Sequence, residues 1–267
     1  LNQRLPLRKR GLSICTFHDL FVLSADYSTP EFRERFAVQA RHAAHDADLI
    51  IAVSHFTATE VRDRLGFPES RIRVVPHGVN LPSHVTPVSR RARIILHAGA
   101  IQKRKNLDLL VRAFTNAAPP DWQLHLAGGD GYLAQAVHDE IDRSARRSAI
   151  VRHGYASPAT LASLYQQAAI FAFPSFAEGF GIPVLEAMGH GIPVLASNTS
   201  AIPEAAGGAA QLLDPHDQQQ WEDALHELCE SPARREQMVR EGLAVARGRG
   251  WSRAVDATAA IYREILG

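Results

Sequence analysis

The sequence is short of the features that would take it out of the globular class. Of 267 residues only two are cysteine, Cys15 in an apolar, strand-like run and Cys229 in a helical one. They are too few and too unlike in setting for a disulfide framework, so a reducing, cytoplasmic compartment is expected. Formal net charge is only +1, which gives no support to a broad nucleic-acid footprint. Arg4, Arg8, Lys9 and Arg10 nevertheless crowd the start. That cluster reads as a solvated face that could also touch anionic lipid, a peripheral contact at the inner face of the cytoplasmic membrane. No run approaches the roughly 20 apolar residues of a membrane span, and no secretory leader is expected. Internal repeats and low-complexity tracts are missing. So are a Gly-x-Ser-x-Gly elbow and a phosphate-binding P-loop, which leaves hydrolase and NTPase readings without support.

What is present is an alternation. With 46% hydrophobic and 21% charged residues, the chain can bury one large or two modest cores, and two domains are expected. Strand and helix patterns follow one another, which predicts an α/β fold. The spacing predicts strands over 11–20, 48–53 and 72–76, with helices over 30–47 and 54–65, the second N-capped by Ser54. Residues 81–91, carrying Pro82, Ser83, Pro87 and Ser89, lose the apolar periodicity. They divide a first domain (1–82) from a second (93–250), with 83–92 as linker. The second series has strands over 93–98, 122–127, 150–154, 169–173, 192–196 and 210–213. Its helices begin at Asn106, near Tyr132, at Pro158 behind Ser157, and near Pro183. Three helices close the chain, the last (251–267) expected to pack back toward the first domain. The second domain reads as a complete, Rossmann-like doubly wound sheet, whose ligands sit beyond the carboxyl ends of its strands. The first looks incomplete.

Residues 174–190, Pro-Ser-Phe-Ala-Glu-Gly-Phe-Gly-Ile-Pro-Val-Leu-Glu-Ala-Met-Gly-His, carry the densest chemistry. A buried strand leads into a turn with Glu178, Gly179 and Gly181, and a helix follows with Glu186 in its first turns. Glycines at a helix N-terminus leave amides for an anion, and two carboxylates at the same mouth can accept from hydroxyls. Phosphate plus polyol points to a nucleotide sugar. A second cluster, Gly99-Ala-Ile-Gln-Lys-Arg-Lys-Asn106, lies at the same sheet edge, where Lys103, Arg104 and Lys105 could neutralise a diphosphate. Gly128-Gly129-Asp-Gly131 is another backbone-exposing turn there, weak by itself. Metal readings fare worse. Asp46-Ala-Asp48 has Asp-x-Asp spacing, but one residue ends a helix pattern and the other opens a strand, whereas a metal loop needs converging carboxylates. His42 and His45 lack a third ligand. No metal is expected.

Taken in order, several segments resemble the family-4 retaining glycosyltransferases of GT-B fold, across nearly the whole chain. They are Phe17-His18-Asp19-Leu20, Val53-Ser54, Val75-Pro-His-Gly-Val-Asn80, Gly99…Arg104-Lys105-Asn106, Leu126-Ala-Gly-Gly, Gly154-Tyr155, Leu164-Tyr165, Glu178-Gly-Phe-Gly-Ile-Pro-Val-Leu-Glu186-Ala-Met and Pro203-Glu204…Gly207. The Arg-Lys-Asn form and Ser197-Asn-Thr-Ser are most similar to bacterial, mannosyltransferase-like members that build cell-surface polysaccharides. The resemblance implies two Rossmann-like domains and a nucleotide-diphosphate sugar as donor, GDP-mannose first and a UDP-sugar second. It implies no cofactor, no nucleic-acid partner, and a saccharide or lipid-linked acceptor. It implies that Lys105 and Arg104 hold the diphosphate beside Gly99, Gly179, Phe180 and Gly181, and stabilise the leaving charge. It puts Glu178 on the donor sugar, Glu186 on the ribose, and His18 on the transferred sugar or its phosphate. Gly128, Gly129, Asn198, Thr199 and Glu204 are the lesser candidates. Many relatives carry Arg directly after the glycine matching Gly99; this chain has Ala100, and Arg104 would substitute. The resemblance also leads one to expect two or three further strand-helix units ahead of Gly11, so that the chain would be missing the front of its acceptor domain. Self-association through the unfinished sheet and binding without turnover are the corresponding expectations. A nucleotide-sugar binding module, or an inactive truncated fragment without turnover, is the rival reading.

Overall fold

The computed structural model describes residues 3–5, 11–24 and 26–267. Arg8, Lys9 and Arg10 of the basic cluster lie outside them.

The chain lays down two parallel sheets. The first, in order β1-β2-β3, pairs β1 (Ile14–Phe17), β2 (Leu49–Ala52) and β3 (Ile72–Val74), with Ile14 opposite Leu49 and Phe17 opposite Ala52. Strand β1 is shorter than the apolar run around it. On its near side Ser13 is drawn to Asp48, its amide donating to Oδ2 at 2.7 Å, and past Phe17 the chain leaves the sheet for a short 3-10 turn over Phe21–Leu23. Helix α1 (Pro30–Asp46) begins where Thr29 accepts from the Phe32 amide and Pro30 presets φ at the first position. Helix α2 (His55–Leu65) begins at Ser54, which accepts from the Thr57 amide, and ends on Gly66 in the left-handed region at φ 66°. Both helices pack on one face of the sheet around Cys15, Phe17, Ala43, Ile50 and Val61. The other face is covered from the far end of the chain, where α10 (Trp251–Leu266) sets Ile261 against Leu49, Ile51 and Val75. An ion pair, Arg73 with Glu264, holds the two together.

The second sheet runs β6-β5-β4-β7-β8-β9 and is parallel throughout. Its strands are β4 (Ala92–Ala98), β5 (Gln123–Ala127), β6 (Ile150–Gly154), β7 (Ala168–Phe173), β8 (Val194–Ser197) and β9 (Gln211–Leu213). The helices between them are α3 (Leu107–Ala117), α4 (Gln135–Arg143), α5 (Pro158–Gln167), α6 (Ile182–Gly189) and α7 (Ile202–Ala206), with α8 (Gln218–Glu230) and α9 (Pro232–Arg247) after β9. The chain adds strands outward from β4 in one direction and then returns to its other side with β7. Between β4 and β7 the crossover direction reverses, which opens a crevice beyond their carboxyl ends. Both central strands are almost wholly apolar and bury every residue from Ile94 to Ala98 and from Ala168 to Phe173. That is what helices on both faces demand.

Between the sheets the chain is strapped down. The Arg91 guanidinium is buried and donates to the carbonyls of Thr86 (3.1 Å), Tyr165 (3.0 Å) and Ala168 (2.7 Å), and to that of His190. It thereby satisfies carbonyls at the ends of α5 and α6 that have no partner within their own helices. Both cysteines are buried. Among the described residues no helix is long and apolar enough to cross a membrane.

Candidate functional site at the sheet switch point

The β4 loop is built to bring cations inward. Past Ala98 the backbone turns at Gly99 (φ 146°), and Lys103–Lys105 form one 3-10 turn. Asn106 then closes the turn in the left-handed region (φ 54°) and donates through Nδ2 to the carbonyls of Pro174 (3.2 Å) and Pro215 (2.8 Å). The Phe176 amide donates to the Arg104 carbonyl at 2.9 Å. These bonds tie the β4 loop to the β7 loop across the crevice. In consequence Arg104 and Lys105 are buried, whereas Lys103 stays exposed.

Glu178 meets both cations. Its Oε1 lies 2.7 Å from Arg104 Nη1 and 2.7 Å from Lys105 Nζ. Arg104 also donates to the Ala177 carbonyl. Its guanidinium carbon stands 4.0 Å above the Phe21 ring, and Lys105 Nζ stands 4.6 Å from the Phe173 ring centre. Burial by itself would raise the Glu178 pKa; Lys105 and Arg104 in contact overturn that and hold the carboxyl at about 2. Burial pulls the Lys105 pKa down, opposed by Glu178. The cluster is two buried cations sharing one carboxylate, an arrangement with positive charge left over for a second anion.

The first sheet supplies the opposite wall. Gly179 has no room for a side chain, since a Cβ there would sit 1.7 Å from the His18 carbonyl oxygen. Its own carbonyl accepts from Ser54 Oγ (2.7 Å) and Thr57 Oγ1 (3.0 Å) at the start of α2. His18 Nδ1 lies 3.3 Å from His77 Nε2 with the rings stacked, and His77 meets Phe180 edge-on and leans on Trp251. Burial lowers both histidine pKa values, His77 to about 4. Asp19, beside His18, is pushed up to about 6 by burial, with Arg104 opposing.

The remaining candidates divide. Gly128 lies backbone to backbone against the β4 loop, where a Cβ would stand 1.9 Å from the Gly99 carbonyl oxygen; Gly129 faces open space. Gly181 starts α6 at φ 103°. Glu186 accepts from the Tyr165 hydroxyl at 3.1 Å, and burial raises its pKa while that bond lowers it. Tyr165 in turn stacks on His190. Asn198 is exposed at the end of β8. Thr199 is turned into the β7 loop, donating to the carbonyl of Phe176 at 3.1 Å. Glu204 does not face the cradle's cations. Its two oxygens accept from the amides of His55 (2.8 Å) and Phe56 (2.7 Å), so that α7 caps α2 across the cleft. The Asp46 carboxylate pairs with His45, and that of Asp48 accepts from Ser13. Reading the sequence alone passed over His77, His97, Asp19, Phe21 and Ser200, which donates no contact to the cations but accepts from the Glu178 amide at 2.9 Å. His77, Asp19 and Ser200 stand within the motifs named above, whereas His97 and Phe21 carry no such signal.

Comparison with known proteins agrees with this fold. The model of the family described as Glycosyl transferases group 1 matches residues 85–244, and that of Glycosyltransferase Family 4 matches residues 2–82. The O-antigen chain mannosyltransferase B of Escherichia coli is 29% identical, over 94% of this chain and 70% of its own length. A D-inositol 3-phosphate glycosyltransferase of Nocardiopsis dassonvillei is 30% identical, over 97% of this chain and 65% of its own length. Among solved structures, the sucrose-phosphate synthase of Thermosynechococcus elongatus superposes with a TM-score of 0.79 at 22% identity, over 95% of this chain and 67% of that one. HepE of Anabaena, solved in complex with UDP and glucose, does so with a TM-score of 0.79 at 20% identity, over 95% and 71%. With a parallel sheet in each half and a cation-lined switch point between β4 and β7, the chain belongs to the group 1 glycosyltransferase family and has its GT-B fold.

Proposed function

We propose that this chain takes part in transferring a hexose from a nucleotide-diphosphate sugar to a saccharide or lipid-linked acceptor. Mannose from GDP-mannose is the first donor to try and a UDP-sugar the second. The observation that carries the reading is the buried Arg104–Lys105–Glu178 cluster at the switch point. Two desolvated cations paired to one carboxylate leave net positive charge where a leaving diphosphate gathers negative charge, and preorganised charge of that kind lowers the barrier. Glu178, already poised between them, exchanges one partner for donor hydroxyls when the phosphates arrive. Glu186, fixed by Tyr165, sits on α6 one helical stretch further on and takes the ribose. His18, held by His77 and by contact with Gly179, faces the transferred sugar from the other wall. By family resemblance the anomeric configuration is retained.

The relatives support the donor assignment only by kinship: one bears the name of a mannosyltransferase, and one solved neighbour holds UDP. Arg104 and Lys105 can do the charge work that a metal ion does in other transferases. The test incubates the protein with GDP-mannose or UDP-glucose and acceptor mixtures in excess EDTA, following nucleoside diphosphate release. Release that depends on acceptor and survives EDTA is expected. Activity that vanishes and returns only with Mg²⁺ or Mn²⁺ refutes the metal-free route, and binding without release under all conditions favours a nucleotide-sugar binding module.

A further inference from the structure

His97, next to last in β4, is fully buried. Its Nδ1 lies 3.0 Å from the Ala172 carbonyl oxygen on β7. A carbonyl can only accept, so Nδ1 carries the proton and Nε2 presents a lone pair. The ring stacks on Phe173 at a centroid distance of 5.6 Å. Among the described residues Nε2 itself has no hydrogen-bond partner. The bond to Ala172 accounts for one ring nitrogen; the other is left a buried, unmet acceptor, which costs free energy and calls for an explanation.

The lone pair borders the phosphate cradle. A Cβ placed on Gly99 would lie 3.3 Å from His97 Nε2, 3.4 Å from Lys105 Cε and 3.5 Å from Lys105 Nζ. The unpaired acceptor and the three-donor ammonium therefore both border the one small space above Gly99. Glu178 takes one of those N–H bonds.

We propose that His97 is a positioning residue for Lys105, its Nε2 accepting an ammonium N–H when a donor diphosphate draws Lys105 away from Glu178. The inference rests on the reading of Lys105 as a diphosphate cation. A neutral acceptor suits the task. A second carboxylate would cancel the charge the phosphates require, and a protonated imidazole would repel the ammonium. Burial pushes the His97 pKa to about 3, and Lys105 pushes it the same way, so the ring is neutral at neutral pH. Gly99 keeps the space open between the two groups.

Calorimetry on the full chain tests this, with GDP and UDP as probes and guanosine and uridine as controls without phosphate. His97→Phe keeps the stack on Phe173 and deletes both nitrogens. It should raise the diphosphate Kd about tenfold or more, the effect of one lost hydrogen bond to a charged group, and leave nucleoside binding unchanged. If that variant does not fold, His97→Asn serves, since its amide can still donate to Ala172 but cannot reach the Nε2 position; the same loss is expected. Diphosphate binding within about twofold of wild type, with Lys105→Met abolishing it, overturns the role of His97 and leaves the phosphate site standing. Equal losses for nucleoside and diphosphate overturn it as well, because a packing role would act on both. Should Lys105→Met bind as wild type does, or wild type bind neither diphosphate, the phosphate reading fails and this inference with it.

Discussion

Replacing Glu178 by alanine removes one carboxylate and leaves two buried cations without their counterion. The side chain is 11% exposed, and its oxygen contacts Arg104 and Lys105 at 2.7 Å each. A carboxyl held near 2 instead of 4.5 in the folded state corresponds to about 3 kcal/mol of stability at neutral pH. That agrees in size with the about 3–5 kcal/mol lost when one member of a buried pair is deleted. For a chain of this length the loss amounts to a drop in thermal midpoint of roughly 6–12 °C at pH 7. The sign with pH is fixed by the direction of the shift. A depressed carboxyl stabilises fully above its unfolded value and progressively less as pH falls from 4.5 toward 2, so the gap between wild type and variant should close over that range. Diphosphate should then act in the opposite sense on the two proteins. In wild type it must displace a carboxylate from the cations, whereas in Glu178→Ala it supplies the missing negative charge, so GDP or UDP should raise the variant's midpoint more than the wild type's. Scanning calorimetry between pH 3 and pH 8, with and without diphosphate, measures all of this. A variant melting within about 2 °C of wild type at pH 7, or gaining less than wild type from diphosphate, would refute the account of the cradle.

Three further outcomes follow from neighbouring geometry. Asp19, raised to about 6 by burial, favours the fold in its protonated form, a contribution full below 3.8 and lost as pH climbs to 6; Asp19→Asn should therefore stabilise by about 1–2 kcal/mol above pH 6 after solvent screening, and a midpoint unchanged at pH 7 would contradict this. Glu204→Ala strips the carboxylate from the His55 and Phe56 amides and should cost about 1–2 kcal/mol, with faster hydrogen exchange at the start of α2 than in α1; uniform exchange would mean that the cap across the cleft carries no load. Glu186→Ala should weaken binding of GDP or UDP by calorimetry roughly tenfold or more while Glu178→Ala does not weaken it, and equal losses would show that one of the two carboxylates has been misplaced.

The repeating strands and caps were legible because each rests on local chemistry. Ser54, Ser157 and Pro158 announce helix starts at the residues where the helices do begin, and the apolar run before Pro174 is the strand β7. The meeting of Arg104 and Lys105 with Glu178, 73 residues later in the case of Lys105, was legible only as a shared sheet edge, since parallel topology puts the loops after β4 and β7 side by side. Two things lay out of reach. One is the use to which a carboxylate is put: Glu204 and Glu178 look alike in the sequence, yet one caps a helix of the other half and the other pairs with buried cations. The second is the unmet nitrogen of His97, because a lone histidine in an apolar strand reads as a satisfied core residue until its partners are known. The ends of β1 also escaped, since the Ser13–Asp48 contact that trims it is not periodic.

The contact of Gly128 with the Gly99 carbonyl bears on how such a protein could change its preference over evolution. Where two main chains touch, no mutation can reshape the surface by enlarging or recharging a side chain; the floor of the crevice is inherited whole or lost whole. Novelty is driven to the perimeter. Tyr155, 86% exposed at the end of β6, exposed Asn198 at the end of β8, and Gly129, where a new Cβ would meet nothing within 4 Å, are positions at which variation leaves that floor untouched. A lineage exploring other nucleotides or sugars would be expected to diverge at these three while Gly99 and Gly128 stay fixed, and an engineer seeking a new donor would randomise the same rim.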